Sequence, residues 1–219
     1  MQNEEALLTL QADRILDRLR REVRMAEGQQ AIAFHDIHMR ALIEEGLLRR
    51  PQAVLEIGLG WGYSASALQS LGSVERHVIV EKVRGTERLT IAEENLANFS
   101  RPGTNLEIRW EDSAIALAEL WREGEKFDLI LIDGGHRFEN VFMDFYYAGQ
   151  LANPGAIVLL DDAWMPAVKT AISFFERNMP DLWTPLPMRE GSALRIFAHS
   201  GKREKREWDY FVPFEMHTS

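Results

Sequence analysis

Glu56 and the glycines Gly58, Gly60 and Gly62 are the residues whose types and spacing most directly imply chemistry. They end the apolar run Val54-Leu55-Glu56-Ile57, and a helix is predicted to start at Tyr63. Glycine has no Cβ, so the backbone can turn tightly and approach a ligand. The first turn of the helix adds unpaired N–H groups and a partial positive charge. A strand hands over to a helix in this way around a nucleoside. A dinucleotide loop reads G-x-G-x-x-G and seats a pyrophosphate on the helix. Here the spacing is G-x-G-x-G, with a carboxylate two residues ahead of the first glycine. Glu56 would repel a pyrophosphate and suit a ligand carrying an amino group, which disfavours an NAD-binding oxidoreductase. Ser64, at the helix start, is placed to assist. Glu81 lies 21 residues beyond Gly60, at the end of the next predicted strand. A carboxylate there can accept both ribose hydroxyls; the plainer alternative is a surface acid at a strand end.

These residues need a scaffold, and the periodicity supplies one. Glu4 to Met25 and Ala31 to Leu48 read as helices, the first amphipathic, with a turn between them. A βα alternation follows, with strands at 53–57, 78–80, 106–110, 127–132 and 156–160. Pro102-Gly103 and Pro154-Gly155 are read as turns. The segments 182–188 and 193–198 read as a hairpin. Strands alternating with helices predict an α/β fold, a doubly wound parallel sheet with helices on both faces. Residues 1–50 form extra N-terminal helices, 51–200 the core, and 201–219 a charged and then aromatic tail. The tail aromatics Trp208, Tyr210, Phe211 and Phe214 are expected to pack on the body or a second subunit, or to cap the site.

The chain has 219 residues, 46% hydrophobic and 27% charged, no cysteine and a net charge of −9. One folded domain is expected. The negative charge argues against a general grip on nucleic acid. The absence of a long apolar run or a signal-like start argues against a membrane protein and for a cytoplasmic one. Without cysteine there are no disulfides, thiolate metal sites or cysteine nucleophiles.

Four of the five strands end at an acid: Glu81, Asp112, Asp133 and the pair Asp161-Asp162. Ligands of open α/β sheets bind at that edge. The fourth strand runs Leu131-Ile132-Asp133-Gly134-Gly135-His136-Arg137-Phe138-Glu139-Asn140-Val141, with Asp144 further on. The fifth runs Ile157-Val158-Leu159-Leu160-Asp161-Asp162-Ala163-Trp164. With the glycine loop, these motifs resemble class I S-adenosylmethionine-dependent methyltransferases. They are similar to the subgroup with D-G-x-H and D-D motifs, which includes antibiotic-tailoring sugar O-methyltransferases and is similar in layout to the catechol and caffeoyl-CoA O-methyltransferases. The resemblance spans Val54 to Trp164.

The resemblance implies a Rossmann-like, seven-stranded, mostly parallel sheet and methyl transfer to the hydroxyl of a small-molecule acceptor. Glu56, Gly58, Gly60, Gly62 and Ser64 would hold the amino-acid part of S-adenosylmethionine, Glu81 the ribose, and Asp112 and Ser113 the adenine. An Asp-Ser pair is equally an ordinary helix cap. Asp133 would border the methionine part. A divalent cation, Mg²⁺ or similar, is implied at Asp133, Asp161 and Asp162. Carboxylates are hard donors that suit it, and a bound cation lowers a hydroxyl's pKa. One of the pair Asp161 and Asp162 serves as a helix cap in the alternative. His136 is the candidate general base, since the lysine of the catechol-type enzymes has no match here. Trp61 and Trp164 are expected to stack on the acceptor. His35 and His38 are read as helix surface or substrate rim, and His77, His199 and His217 as structural. Two alternatives stay open: a metal-independent enzyme acting on nitrogen or a carboxylate, and a non-catalytic S-adenosylmethionine-binding protein. The N-terminal helix would serve either as a homodimer surface or as a cover for its own domain.

Overall fold

A computed structural model describes residues 2–26, 36–188, 190–202 and 206–218. Seven strands form one sheet in the order β3-β2-β1-β4-β5-β7-β6. The first five are β1 (Ala53–Ile57), β2 (Arg76–Val80), β3 (Asn105–Arg109), β4 (Phe127–Ile132) and β5 (Ala152–Leu160). They pair in parallel, and β7 (Arg195–His199) runs antiparallel to both β5 and β6 (Trp183–Pro185). The predicted doubly wound sheet and its terminal hairpin are both present.

Helices cover both faces. On one side lie α1 (Gln2–Glu22), α2 (Asp36–Arg49), α3 (Tyr63–Gln69) and α4 (Glu87–Phe99). On the other lie α5 (Ser113–Glu123), α6 (Phe138–Leu151) and α7 (Pro166–Asn178). Strand alternation divides the core between them. Leu55, Ile57, Ile130 and Val158 join Leu117, Phe145 and Phe175 of α5, α6 and α7. Val54, Leu129, Leu131 and Ile157 join Leu16, Leu19, Met39 and Leu42 of α1 and α2. The second half of α1's apolar stripe, Ala12, Leu16 and Leu19, is therefore buried against its own domain, whereas Leu7 and Leu10 stay exposed. The predicted turn after α1 and the start of the second helix fall at residues 27–35, outside the described residues.

One boundary differs from the sequence reading. Pro154-Gly155 does not separate helix from strand; α6 passes directly into β5 at Leu151 and Ala152. The pairing with β4 slips instead, from Phe127↔Ala152 to Leu129↔Ile157. Gly155 takes φ +81° in that slip. Proline and glycine in a strand mark a bulge as readily as a turn.

Candidate active site

The C-terminal ends of β1, β2 and β4 are laced together by the chain itself. The Gly58 amide donates to the Val80 carbonyl at 2.8 Å, and the Asp133 amide to the Ile57 carbonyl at 2.9 Å. Gly58 sits at φ +97°, and a Cβ on it would lie 2.2 Å from the Asp133 carbonyl oxygen. Only glycine lets the loop press this closely on β4. The loop opens on a cavity of about 400 Å³ that Gly58, Gly60, Glu81, Asp112, Ser113, Asp133 and His136 help to line.

Glu81 is buried at the end of β2. Its carboxylate accepts the Leu59 amide at 3.1 Å and the Val83 amide at 2.9 Å. Asp112 caps α5 through the Ala114 amide at 3.1 Å and takes Lys82 Nζ at 2.7 Å. Lys82 and the capping bond together hold its carboxyl below the usual range. The cap and cavity-lining descriptions of the Asp112-Ser113 pair therefore hold together.

Glu56 and Ser64 lie beneath the loop, off the cavity wall. Glu56 is fully buried; it accepts the Ser64 hydroxyl on one oxygen and faces His77 Nε2 at 3.1 Å with the other. Gln69 Nε2 stands 2.9 Å from His77 Nδ1. With Gln69 donating, the imidazole proton points at Glu56. His77 is thus the partner that makes a buried carboxylate tolerable.

The acids of β4 and β5 meet beside this cavity. His136 Nε2 is 3.1 Å from Asp162 Oδ2 and 3.8 Å from Asp133 Oδ1. One ligand atom each of Asp133, His136 and Asp162 lie within 4.8 Å of one another, the spacing of donors around one cation. Burial pushes the Asp133 carboxyl up to about 7 against the pull of His136, and the charges of Asp161 and Glu56 add to the rise. Asp162 adopts φ 52°, a left-handed conformation that aspartate accepts more readily than most residues. Its Oδ1 accepts the Trp164 indole N–H at 2.8 Å.

Asp161 faces elsewhere. Its Oδ1 lies 2.8 Å from Nδ1 of His38, and both side chains are buried. His38 is therefore not helix surface. Its spacing on α2 gave no sign of this, because the contact spans the sheet edge and is long-range in sequence. Burial opposes the charged imidazole, but Asp161, with Asp162 and Asp133 behind it, raises its pKa overall. His35 lies outside the described residues.

A second cavity, of about 420 Å³, opens on the far side of Trp164. Lys169, Met188, Arg195, Glu215 and His217 share its wall. The tail reaches it by running along α7. Val212 exchanges two hydrogen bonds with the Asn178 amide, at 2.8 and 2.9 Å. The Glu215 amide donates to Ser173 Oγ and the His217 amide to Thr170 Oγ1, both at 2.9 Å. Phe214 meets Phe174 edge-on at 5.3 Å. Phe214 therefore packs on the body, whereas Trp208 stays 95% exposed.

The sheet order and a nucleoside-sized cavity at its topological switch point define an α/β enzyme of the class I methyltransferase architecture. A family model described as a methyltransferase domain matches residues 55–163, about half of the chain. The chain belongs to this family, the S-adenosylmethionine-dependent methyltransferases. No curated protein matches it. Among solved structures it is similar to TomG of Streptomyces achromogenes, an O-methyltransferase involved in tomaymycin synthesis, in complex with S-adenosylmethionine. That pair shares 21% identity over 88% of this chain and 90% of the other, with a TM-score of 0.61. An O-methyltransferase from Bacillus cereus in complex with S-adenosylhomocysteine also shares 21% identity, over 87% and 90% of the two chains, with a TM-score of 0.60. Podospora anserina PaMTH1, bound to S-adenosylhomocysteine, shares 14% over 87% of each chain, with a TM-score of 0.63. Among the described residues no helix is long and apolar enough to cross a membrane.

Proposed function

We propose that this methyltransferase transfers the methyl group of S-adenosylmethionine to a hydroxyl of a small molecule, assisted by a divalent cation. One observation carries the reading: the Asp133–His136–Asp162 group stands between the two cavities. His136 lines the first, and Asp162 is tied to Trp164, which lines the second. The first cavity suits the methyl donor, with the glycine loop, Glu81 and the Asp112-Ser113 turn around it. The second suits the acceptor, with Trp164 as its apolar face. The two O-methyltransferases among the similar structures support the choice of oxygen.

The two carboxylates of the donor set fit Mg²⁺ or Mn²⁺, and the imidazole shifts the preference toward Mn²⁺ or another transition metal. Asp133, His136 and Asp162 would hold the ion, with Asp161 adding charge beside them. A cation there, when bound, lowers the pKa of an acceptor hydroxyl. The chain's own part is alignment. The glycine loop and Glu81 fix the donor, and Trp164 holds the acceptor; in-line methyl transfer draws much of its rate from such positioning. With His136 among the ligands its Nε2 is not free to take a proton, so its role as general base belongs to an enzyme that works without the cation.

A second reading is favoured by the contact of His136 with two carboxylates. A protonated imidazole balances them without a cation, and the enzyme is then metal-independent. Asp133 raises the pKa of His136 most, with burial opposing it and Asp162 and Asp161 adding to the rise.

The test is a thermal-shift and calorimetric titration with S-adenosylhomocysteine, with NAD as control. It is followed by methyl transfer to a panel of hydroxylated aromatics and sugars, with Mg²⁺ or with EDTA. Binding of S-adenosylhomocysteine alone and turnover abolished by EDTA are expected. Turnover indifferent to EDTA selects the second reading, and no binding by folded protein removes the cofactor assignment.

A further inference from the structure

We infer that His38, on a helix outside the matched methyltransferase segment, is a positioning residue of the cation site and sets it in register with the acceptor cavity. The inference rests on the proposed cation reading. Its basis is a bridge made by one imidazole. The Ala193 amide donates to His38 Nε2 at 2.9 Å, so Nε2 carries a lone pair. In the neutral ring the proton then sits on Nδ1, 2.8 Å from Asp161 Oδ1. A backbone amide of the segment before β7 thus selects the tautomer that faces an acid at the end of β5.

Both ends of the contact with Asp161 are shut off from solvent. His38 is 4% and Asp161 7% exposed, so neither is held by solvent instead. The Asp161 amide donates to the Ile132 carbonyl at 3.1 Å, one residue before Asp133. The Ala163 amide donates to the Ala193 carbonyl at 3.1 Å, so Ala193 is bound to β5's exit loop and to His38 together. Ala163, Ser192 and Ala193 all line the second cavity. Displacing the ring therefore loosens the acid beside the cation group and the wall of the acceptor cavity at once. Asp161 is outside the donor group, so His38 acts one contact further out than a ligand's own partner, through the backbone that joins Asp161 to Asp162 and to Ile132.

Asn and Gln at position 38 separate the two halves of the bridge. The Asn amide reaches the place of Nδ1 and can donate to Asp161; the Gln amide reaches that of Nε2 and serves Ala193 alone. Mn²⁺ binding is read by electron paramagnetic resonance with S-adenosylhomocysteine present, and S-adenosylhomocysteine affinity by calorimetry. His38→Gln is expected to weaken Mn²⁺ binding about tenfold, the low end of an outer-shell effect. His38→Asn is expected to stay within about threefold of wild type, in line with a retained outer-shell partner. Affinity for S-adenosylhomocysteine should be unchanged in both. Equal losses in the two variants, no loss in His38→Gln, or failure to bind S-adenosylhomocysteine would overturn the inference, because the ring would then serve the fold alone. Wild type that binds S-adenosylhomocysteine but no Mn²⁺ removes the cation reading itself, and that result is separate from any difference between variants.

Discussion

Asp144 is a carboxylic acid enclosed in the α6 side of the core, 1% exposed. Burial pushes its pKa up to about 7, while Ser113 on α5 pulls the other way. In the unfolded chain an aspartate titrates near 4, so between about pH 4 and pH 7 the folded state holds the extra proton. Stability must then fall as pH rises across that window, by roughly 1.4 kcal/mol per unit. Asp144→Asn mimics the neutral acid and removes the dependence. Urea unfolding should show the variant close to wild type at pH 4 and clearly more stable at pH 8; a constant gap would contradict the assignment. Glu81 carries a prediction of the opposite kind. Its two oxygens already gather loop amides, so Glu81→Ala should cost S-adenosylhomocysteine about ten- to hundredfold in affinity, the range of a hydrogen bond to a charged group. Calorimetry that returns the wild-type constant would put the ribose elsewhere. Among single residues, Glu81 was legible because position and chemistry coincide at a strand end. Glu56 was legible as an important acid, but its partner His77 was not. Their proximity comes from strand pairing, which places the side chains of neighbouring strands together without any local pattern.

The glycine loop belongs to the scale of elements, since its form is set by what β4 does. Gly58→Ala puts a methyl into the Asp133 carbonyl as well as a side chain at φ +97°. The combined cost should be about 2–4 kcal/mol, from the left-handed conformation and the overpacking. Gly60 has a positive φ too, but a Cβ there meets nothing within 4 Å. Gly60→Ala should therefore cost only about 1–2 kcal/mol. Chemical denaturation of the two variants checks the order, and equal losses would mean that the contact with β4 carries no weight. The elements themselves were largely readable. Five apolar runs, four of them ending in acids, are a local signal, and so is the amphipathic stripe of α1. Pro154-Gly155 misled because a bulge and a turn share the same residues and differ only in what the neighbouring strand does.

For the molecule as a whole, the C-terminal segment is an outer strap on α7. Asn178 is fully buried and holds it by the two bonds to Val212. Asn178→Ala should release the segment. Chymotrypsin cleavage near Phe211 and Phe214 should then rise roughly tenfold, the equivalent of about one hydrogen bond. S-adenosylhomocysteine affinity should not change, since the strap lines the second cavity and not the one proposed for the methyl donor. An unchanged cleavage rate would show that Phe214 and the other bonds suffice. The strap's course could not be read from the tail's composition. An aromatic cluster announces burial but not an address, and the groove it follows is made by Thr170, Ser173 and Asn178, residues unremarkable on an α7 read alone. The second cavity was hidden for the same reason, being assembled from β5's exit loop, α7, the segment before β7 and the tail.

That arrangement has a practical side for anyone redesigning the enzyme. Glu215 and His217 stand in one cavity wall with Lys169 and Trp164, so whatever is done to this stretch of chain is done to the cavity. Randomising the positions of Glu215 and His217 alters two cavity-lining side chains without touching the sheet, so the preference of the proposed acceptor cavity can be searched by libraries confined to two codons.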